Sequence, residues 1–174
     1  MEHEQRLLDK IQKLLNEMEI EPEIKLAHKV VREALTNCPE INQEQALIGN
    51  FLTRLVGSSY YKNRISNDVD VLVYCPVNNV CGLYFEGWDE GGSVKDCYTR
   101  EWVSYTKQVG NVKVNMLLTN DSWYYALWCA ASEVCKFLHL MGVALPTGVA
   151  HGVHAIIMDN KKAEAEAKIR GYDT

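Results

Sequence analysis

Apolar residues recur at helical spacing in the first fifty residues. In RLLDKIQKLLNEM the stripe of one amphipathic helix consists of Leu7, Ile11, Leu14, Leu15 and Met18. Pro22, which suits the first turn of a helix, opens a second helix that ends at Pro39. Asn42 and Gln45 resemble a capping box and start a third helix. The next residues, FLTRLV, fit either a continued helix or a strand.

The middle of the chain has the composition of strands. From Asp68 to Tyr74 the residues are β-branched, apolar or aromatic apart from two acids, which predicts a strand buried on at least one face. The segments REWVSYTKQV and VKVNMLLT flank the two-residue turn Gly110-Asn111 and predict a hairpin. Between the strand Asp68–Tyr74 and this hairpin, the segment FEGWDEGGSVKDC is rich in glycine and acids and predicts a mobile loop.

A dense apolar segment follows the hairpin and predicts a helix from Ser122 to Leu140, capped by Asp121 and ended by Gly142. Its apolar stripe consists of Trp123, Leu127, Ala130, Ala131, Val134, Phe137, Leu138 and Met141. The tail, 161–170, has alternating charges and predicts a solvated helix.

Length and composition favour one soluble domain. The chain has 174 residues, of which 47% are apolar and 24% are charged. No apolar run approaches the roughly 18 residues that span a bilayer, and the first residues lack a secretory signal, so we expect a cytoplasmic protein without a membrane partner. The net charge of -5 argues against a protein that coats nucleic acid. The six scattered cysteines predict free thiols.

The two acids in the predicted strand are candidates for a metal site. Residues i and i+2 of a strand point to the same side, so Asp68 and Asp70 present two carboxylates together, about 6 to 7 Å apart at the backbone. Two such anions repel each other unless a cation lies between them. Mg²⁺, or Mn²⁺ in its place, takes oxygen ligands and is often held by one or two carboxylates plus substrate phosphates.

A glycine and two serines precede these acids at a distance that suits phosphate binding. Gly57 lets the backbone approach a phosphate, and Ser58 and Ser59 have hydroxyl and N–H groups that can donate to its oxygens. Lys62 and Arg64 in the same connection are candidates to hold the outer phosphates.

The combined pattern resembles the nucleotidyltransferase superfamily, the polymerase-beta-like enzymes. The resemblance consists of Val56-Gly57-Ser58, nine further residues, and then Asp68-Val69-Asp70-Val71. It implies an α+β fold with a mixed β-sheet, helices on one side and N-terminal helices before the core. We therefore divide the single domain into N-terminal helices (1–42), a core with the motif (43–120) and C-terminal helices (121–174).

The chain departs from this family at one position. Active members carry a third carboxylate on a later strand, where it helps to hold the metal and can accept the proton of the attacking hydroxyl. The segment VKVNMLL fits that strand, and its centre is Asn115, which can offer an oxygen to a metal but cannot take a proton. Asp121 does not easily replace the missing carboxylate, because it lies about 20 Å beyond Asn115 along an extended strand. Asp96 or Glu101 could supply the carboxylate only if their loop folds over the site.

Two hypotheses follow. In the first, the protein binds an NTP and Mg²⁺ and transfers a nucleoside monophosphate to a hydroxyl of a small molecule, a nucleic-acid end or a protein. In the second, the fold is catalytically degenerate and acts as a nucleotide-binding or protein-binding module, with the N-terminal helices as a partner surface. Asn115 supports the second hypothesis.

Other signals are weaker. His151 and His154 are three residues apart and would share a helix face, but they have no third ligand nearby in the sequence, so we interpret them as structural. The aromatic residues Trp123, Tyr124, Tyr125 and Trp128 are predicted to belong to the core rather than to stack on a base.

Overall fold

The structure is a computed structural model. It describes residues 21–41, 52–64, 68–77, 80–95 and 101–157. Several predicted features lie outside the described residues: the first and third helices, the charged tail, Asp96 and the side chain of Glu101. Of the N-terminal helices that were expected to form a partner surface, only the second is described.

Five strands and four helices make up the described residues. In chain order they are α1 (Pro22–Thr36), β1 (Leu52–Val56), α2 (Gly57–Tyr61), β2 (Asp68–Tyr74), β3 (Asp89–Lys95), β4 (Glu101–Val109), β5 (Val112–Thr119), α3 (Ser122–Leu140) and a helical stretch at 147–157, called α4 here. A short 3-10 turn, Val80–Gly82, precedes β3.

The strands form one mixed sheet in the order β1-β2-β5-β4-β3. The pair β2 and β5 is parallel, and the other three neighbouring pairs are antiparallel. This arrangement confirms the predicted α+β class with a mixed sheet.

Helices cover both faces of the sheet, so the expectation of helices on one side was wrong. Val69 and Val71 of β2 are fully buried in a core that includes Ile24 of α1. Leu72 belongs to a second cluster with Tyr125 of α3. Because successive strand residues point to opposite faces, β2 is packed by α1 on one face and by α3 on the other.

Most described elements match their predicted positions. The second helix begins at Pro22, and the strand Asp68–Tyr74 is confirmed at both ends. The two hairpin strands meet at Gly110, whose φ is +60°. The residues after 51 form strand β1, which settles the ambiguity of FLTRLV.

The predicted loop before the hairpin was wrong in part, because 89–95 form the edge strand β3. Its pairing with β4 has a register shift between Glu90 and Ser93. The glycine pair that suggested a loop lies within this shift. Glycines are tolerated in strands at such bulges, where the chain bends and the regular ladder is interrupted.

Helix α3 begins and ends as predicted, but its apolar stripe is only partly buried. Asp121 Oδ1 accepts a hydrogen bond of 2.8 Å from the backbone N–H of Tyr124, and Gly142 follows the helix with φ of +83°. Leu127 and Ala131 are buried. The exposed members of the stripe are Trp123, Ala130, Val134, Phe137 and Met141. The buried face instead includes Tyr124, Tyr125, Ser132 and Cys135, so it is rotated to one side of the predicted stripe.

The described cysteines are consistent with free thiols. Cys38, Cys75, Cys129 and Cys135 form no disulfide. The side chains of Cys81 and Cys97 lie outside the described residues.

Candidate functional site

The start of β2 carries the two candidate acids. Asp68 and Asp70 alternate with the buried residues Val69 and Val71, so both carboxylates lie on the face that Leu72 presents to α3. The prediction that the two carboxylates share one face is confirmed. Because β2 has a neighbour on each side in the sheet, its backbone is held by hydrogen bonds along both edges.

Strand register places Asn115 beside these acids. In the parallel pair of β2 and β5, Asp70 lies opposite Asn115. The Asn115 amide Nδ2 donates to Asp68 Oδ2 at 2.8 Å and to Asp70 Oδ1 at 2.9 Å. Asn115 therefore occupies the place predicted from the sequence, and its amide bridges the two carboxylates.

The second polar atom of this amide has no partner. Asn115 Oδ1 is buried and makes no hydrogen bond within the described structure. A buried carbonyl oxygen without a donor is unfavourable by about 1–3 kcal/mol. Rotation of the amide would direct this oxygen toward the carboxylates, and that orientation becomes favourable only with a cation between the three groups.

Gly57 connects β1 to the site. Val56, the last residue of β1, pairs with Asp70, so the chain turns at Gly57 directly beside this carboxylate. Gly57 has φ of +74°, and a Cβ at this position would overlap Asp70 Oδ2 and lie 3.1 Å from its Cγ. Both the backbone conformation and the close approach therefore require glycine.

The two serines after Gly57 have different surroundings. Ser58 lines the cavity described below, as expected for a phosphate contact. Ser59 is buried, and its hydroxyl donates to the backbone carbonyl of Asp68. Its side chain thus fixes the start of β2 and does not face the cavity, which corrects the expectation that Ser59 binds phosphate.

Burial dominates the electrostatics of Asp70. The pKa of its carboxyl is raised to about 6, chiefly by burial and further by the negative charge of Asp68, while the hydrogen bond from Asn115 and the charge of Lys113 act in the opposite direction. Because burial makes the ionised form of Asp70 unfavourable, a bound cation would strongly stabilise this carboxylate.

A cavity of about 390 Å³ opens next to the acids. It is lined by Gly57, Ser58, Tyr61, Asp68, Asp70, Trp128, Thr147, Ala150, His151 and His154. The cavity brings together four of the predicted site residues, and Asn115 adjoins them through its hydrogen bonds. It is large enough to enclose part of a nucleotide-sized ligand.

The two predicted phosphate-binding cations are not among the described residues that line this cavity. The Lys62 ammonium lies 5.8 Å from the centroid of the Tyr61 ring, and the Arg64 backbone N–H donates to the Ser59 carbonyl. Lys113, which the sequence analysis did not single out, pairs with Asp68 in the β2–β5 register. The positive charge of Lys113 acts to lower the pKa of Asp70.

The wall of the cavity contributed by α3 and α4 was not predicted from the sequence. His151, His154 and Trp128 line the cavity, although the histidines and the tryptophan were interpreted as structural. The sequence signals for this wall were the spacing of the two histidines and the aromatic cluster that contains Trp128. Trp128 and His154 make an edge-to-face contact with ring centroids 5.6 Å apart.

The donor set fits a hard divalent cation. Asp68 and Asp70 offer carboxylate oxygens, and Asn115 has an amide oxygen without a partner. These are the ligand types that Mg²⁺ and Mn²⁺ prefer. Within the described ranges, no three His, Cys, Asp or Glu side chains are grouped closely enough to hold a metal ion. Substrate phosphates would have to complete the coordination.

Comparisons with known protein families, with curated proteins and with solved structures find no match. In the part of the chain that the structure describes, no helix has the length and apolar character of a membrane-spanning segment.

Proposed function

We propose that the protein is a nucleotidyltransferase, which binds an NTP in the cavity beside Asp68 and Asp70 and transfers its nucleoside monophosphate to a hydroxyl acceptor. One observation carries the proposal. The two carboxylates share one face at the cavity wall, next to a turn at Gly57 that leaves no room for a side chain. A strand designed only for packing would not place two like charges there.

Asp68, Asp70 and the amide oxygen of Asn115 would hold Mg²⁺. When bound, the ion offsets the negative charge of the phosphates and of the pyrophosphate that leaves. The same charge would favour the ionised form of Asp70, whose pKa of about 6 otherwise keeps it partly protonated in mildly acidic solution.

The other site residues bind and orient the substrate. Gly57 allows close approach of the backbone, and the Ser58 side chain is at the cavity wall. Tyr61 and Trp128 provide apolar surface in the same cavity. Such surface excludes water from the reacting groups and favours binding of a flat nucleobase.

A second candidate function is nucleotide binding without turnover. The observation that favours it is the position of Asn115, whose amide donates to both carboxylates and cannot accept a proton. Nucleotide binding is common to both candidates, whereas pyrophosphate release belongs to the first alone.

A two-stage experiment tests both candidates. Calorimetry with each of the four common NTPs and Mg²⁺ or Mn²⁺ measures binding, and release of labelled pyrophosphate measures transfer. We expect metal-dependent binding that is lost in the double variant Asp68→Asn/Asp70→Asn. The double variant Asp89→Asn/Glu90→Gln is the matched control, because it removes two neighbouring acids that are exposed on β3.

Binding without pyrophosphate release would select the second candidate. Full metal-dependent affinity in the Asp68→Asn/Asp70→Asn variant would contradict both candidates, because both place the metal on these carboxylates.

A further inference from the structure

Helix α4 brings a pair of histidines to the cavity that holds the two acids. His151 and His154 line the same space as Asp68 and Asp70. The described residues nevertheless contain no group of three such side chains close enough to bind one ion. The histidines lie on the α4 wall of the cavity and the acids on the β2 wall, so a substrate in the cavity can contact both sets.

The hydrogen bond of His154 determines which ring nitrogen is available. Its Nδ1 lies 2.9 Å from the carbonyl oxygen of Ala150, and a carbonyl can only accept. Nδ1 therefore carries the proton in the neutral ring, and Nε2 has a free lone pair. Trp128 packs edge-to-face against the same ring and restricts its orientation.

The neutral form of His154 is favoured near pH 7. Burial lowers the pKa of its imidazole, and the charge of His151 lowers it further, while the hydrogen bond to Ala150 acts in the opposite direction. The other titratable groups that line the cavity are Asp68, Asp70 and Tyr61. A neutral imidazole with a fixed tautomer is suited to accept a proton.

We propose that His154 is the general base of the transfer reaction and that its Nε2 takes the proton of the acceptor hydroxyl. The proposal rests on the proposed nucleotidyltransferase function. As the acceptor oxygen forms its bond to the α-phosphorus, the hydroxyl proton passes to Nε2. The bond from the α-phosphorus to the bridging oxygen breaks, and its electron pair leaves with pyrophosphate. His154 thereby supplies the basic group that Asn115 cannot supply.

Single-turnover transfer at saturating NTP and Mg²⁺ tests this role, compared between wild type, His154→Gln and His151→Gln. Glutamine has polar atoms of similar reach but does not titrate. His151→Gln is the matched control, because it lies one turn away on α4 and lines the same cavity. We expect His154→Gln to reduce the transfer rate by about 10² to 10⁴ while the nucleotide Kd stays within about twofold.

The pH profile separates a base from a structural residue. In the wild type, the transfer rate falls as the pH drops through the lowered pKa of His154, because the protonated ring cannot accept. Saturating Mg²⁺ keeps Asp70 ionised, so Asp70 does not contribute to this decrease of the transfer rate at acidic pH. We expect this decrease of the rate at acidic pH to be absent from His154→Gln. It should be retained in His151→Gln, shifted to slightly higher pH because the charge of His151 no longer lowers the pKa of His154. Imidazole added to His154→Ala should restore part of the rate, and thermal melting should show that each variant is folded.

Three results would overturn the base role. One is full transfer by His154→Gln with an unchanged pH profile, which leaves the nucleotidyltransferase function standing. Another is an equal loss of nucleotide affinity in both histidine variants with turnover unchanged, which makes the pair a binding element. The third is the absence of metal-dependent NTP binding in the wild type, which removes the proposed function together with this inference.

Discussion

Gly57 lies against the carboxylate of Asp70 so closely that a methyl group on Gly57 would overlap Oδ2. The contact results from strand pairing, because Val56 is the partner of Asp70 and the chain turns at the next residue. The turn and the acid are therefore one structural unit, and a change at either residue displaces the other.

Replacement of Gly57 by alanine should be more damaging than the same replacement at Gly142. Both glycines have positive φ, but a Cβ at Gly142 meets nothing within 4 Å. Gly142→Ala should lower the free energy of unfolding by about 1 kcal/mol through backbone strain alone. Gly57→Ala should lower it by about 2–4 kcal/mol and abolish metal-dependent nucleotide binding. Urea unfolding and calorimetry measure both effects, and equal losses at the two positions would refute the close contact.

The raised pKa of Asp70 predicts the pH dependence of stability. The folded protein holds this proton up to about pH 6, whereas the unfolded chain releases it near the usual pKa of an aspartate, 3.8. Between these values the folded state binds more protons, so the contribution of Asp70 to stability falls as the pH rises. Above pH 6 the ionised group is destabilising, and Asp70→Asn should raise the free energy of unfolding by about 1–3 kcal/mol at pH 7.5.

Thermal unfolding across pH 4 to 8, without metal, measures this difference. Asp89→Asn, a change at an exposed acid, is the control and should have little effect. Saturating Mg²⁺ should reduce or reverse the advantage of Asp70→Asn. A variant without any stability gain at pH 7.5 would mean that the Asp70 carboxylate is well solvated.

Asn115→Asp should separate stability from metal affinity. The substitution removes two amide hydrogen bonds to carboxylates and adds a third negative charge, so the metal-free protein should lose about 2 kcal/mol or more. Mg²⁺ affinity should rise, and the transfer rate should increase at least about tenfold. Asn111→Asp, which adds the same charge on an exposed turn, is the control.

The same substitution distinguishes the two candidate bases. In a His154→Gln background, Asn115→Asp should restore transfer, because the new carboxylate can take the proton. An unchanged rate together with unchanged Mg²⁺ affinity would show that position 115 is outside the metal site.

A surface hydrogen bond should stabilise the connection of α2 to α3 more than the neighbouring ion pair does. Glu133 Oε1 accepts from the Tyr60 hydroxyl at 2.6 Å and from Arg54 at 3.1 Å. Arg54 and Glu133 side chains are about half exposed. Tyr60→Phe should lower the free energy of unfolding by about 1 kcal/mol, and Arg54→Gln by less than about 0.5 kcal/mol. Urea unfolding at low and high salt tests this order, because only the Arg54 effect should vanish in 1 M salt.

Local patterns predicted one half of the candidate site. The i, i+2 spacing was sufficient to place Asp68 and Asp70 on one face, since this follows from strand geometry alone. Asn115 was predicted at the centre of the strand that lies beside them. The position of Asn115 was inferred from the resemblance to the nucleotidyltransferase superfamily, because nothing within VKVNMLL specifies the strand with which it pairs.

The other half of the site depends on contacts that sequence patterns do not encode. His154 of α4 and Trp128 of α3 reach the cavity because their helices pack back toward β2, which is distant in the chain. Ser59 looks like a phosphate ligand in the sequence, but its side chain is buried and donates to the backbone carbonyl of Asp68 on the neighbouring strand. The glycine-rich β3 is a strand only because β4 supplies a partner for its backbone.

The position of β2 inside the sheet has a consequence for amide hydrogen exchange. Val69 and Val71 are buried on one face of the strand, and Leu72 is buried on the other. The strand that carries Asp68 and Asp70 therefore cannot open without disrupting both cores, and its amides should exchange only through global unfolding. A ligand at 100 times its Kd should slow that exchange by about 100-fold, equivalent to about 2.7 kcal/mol. Exchange at β2 would then report ligand binding before any product is known.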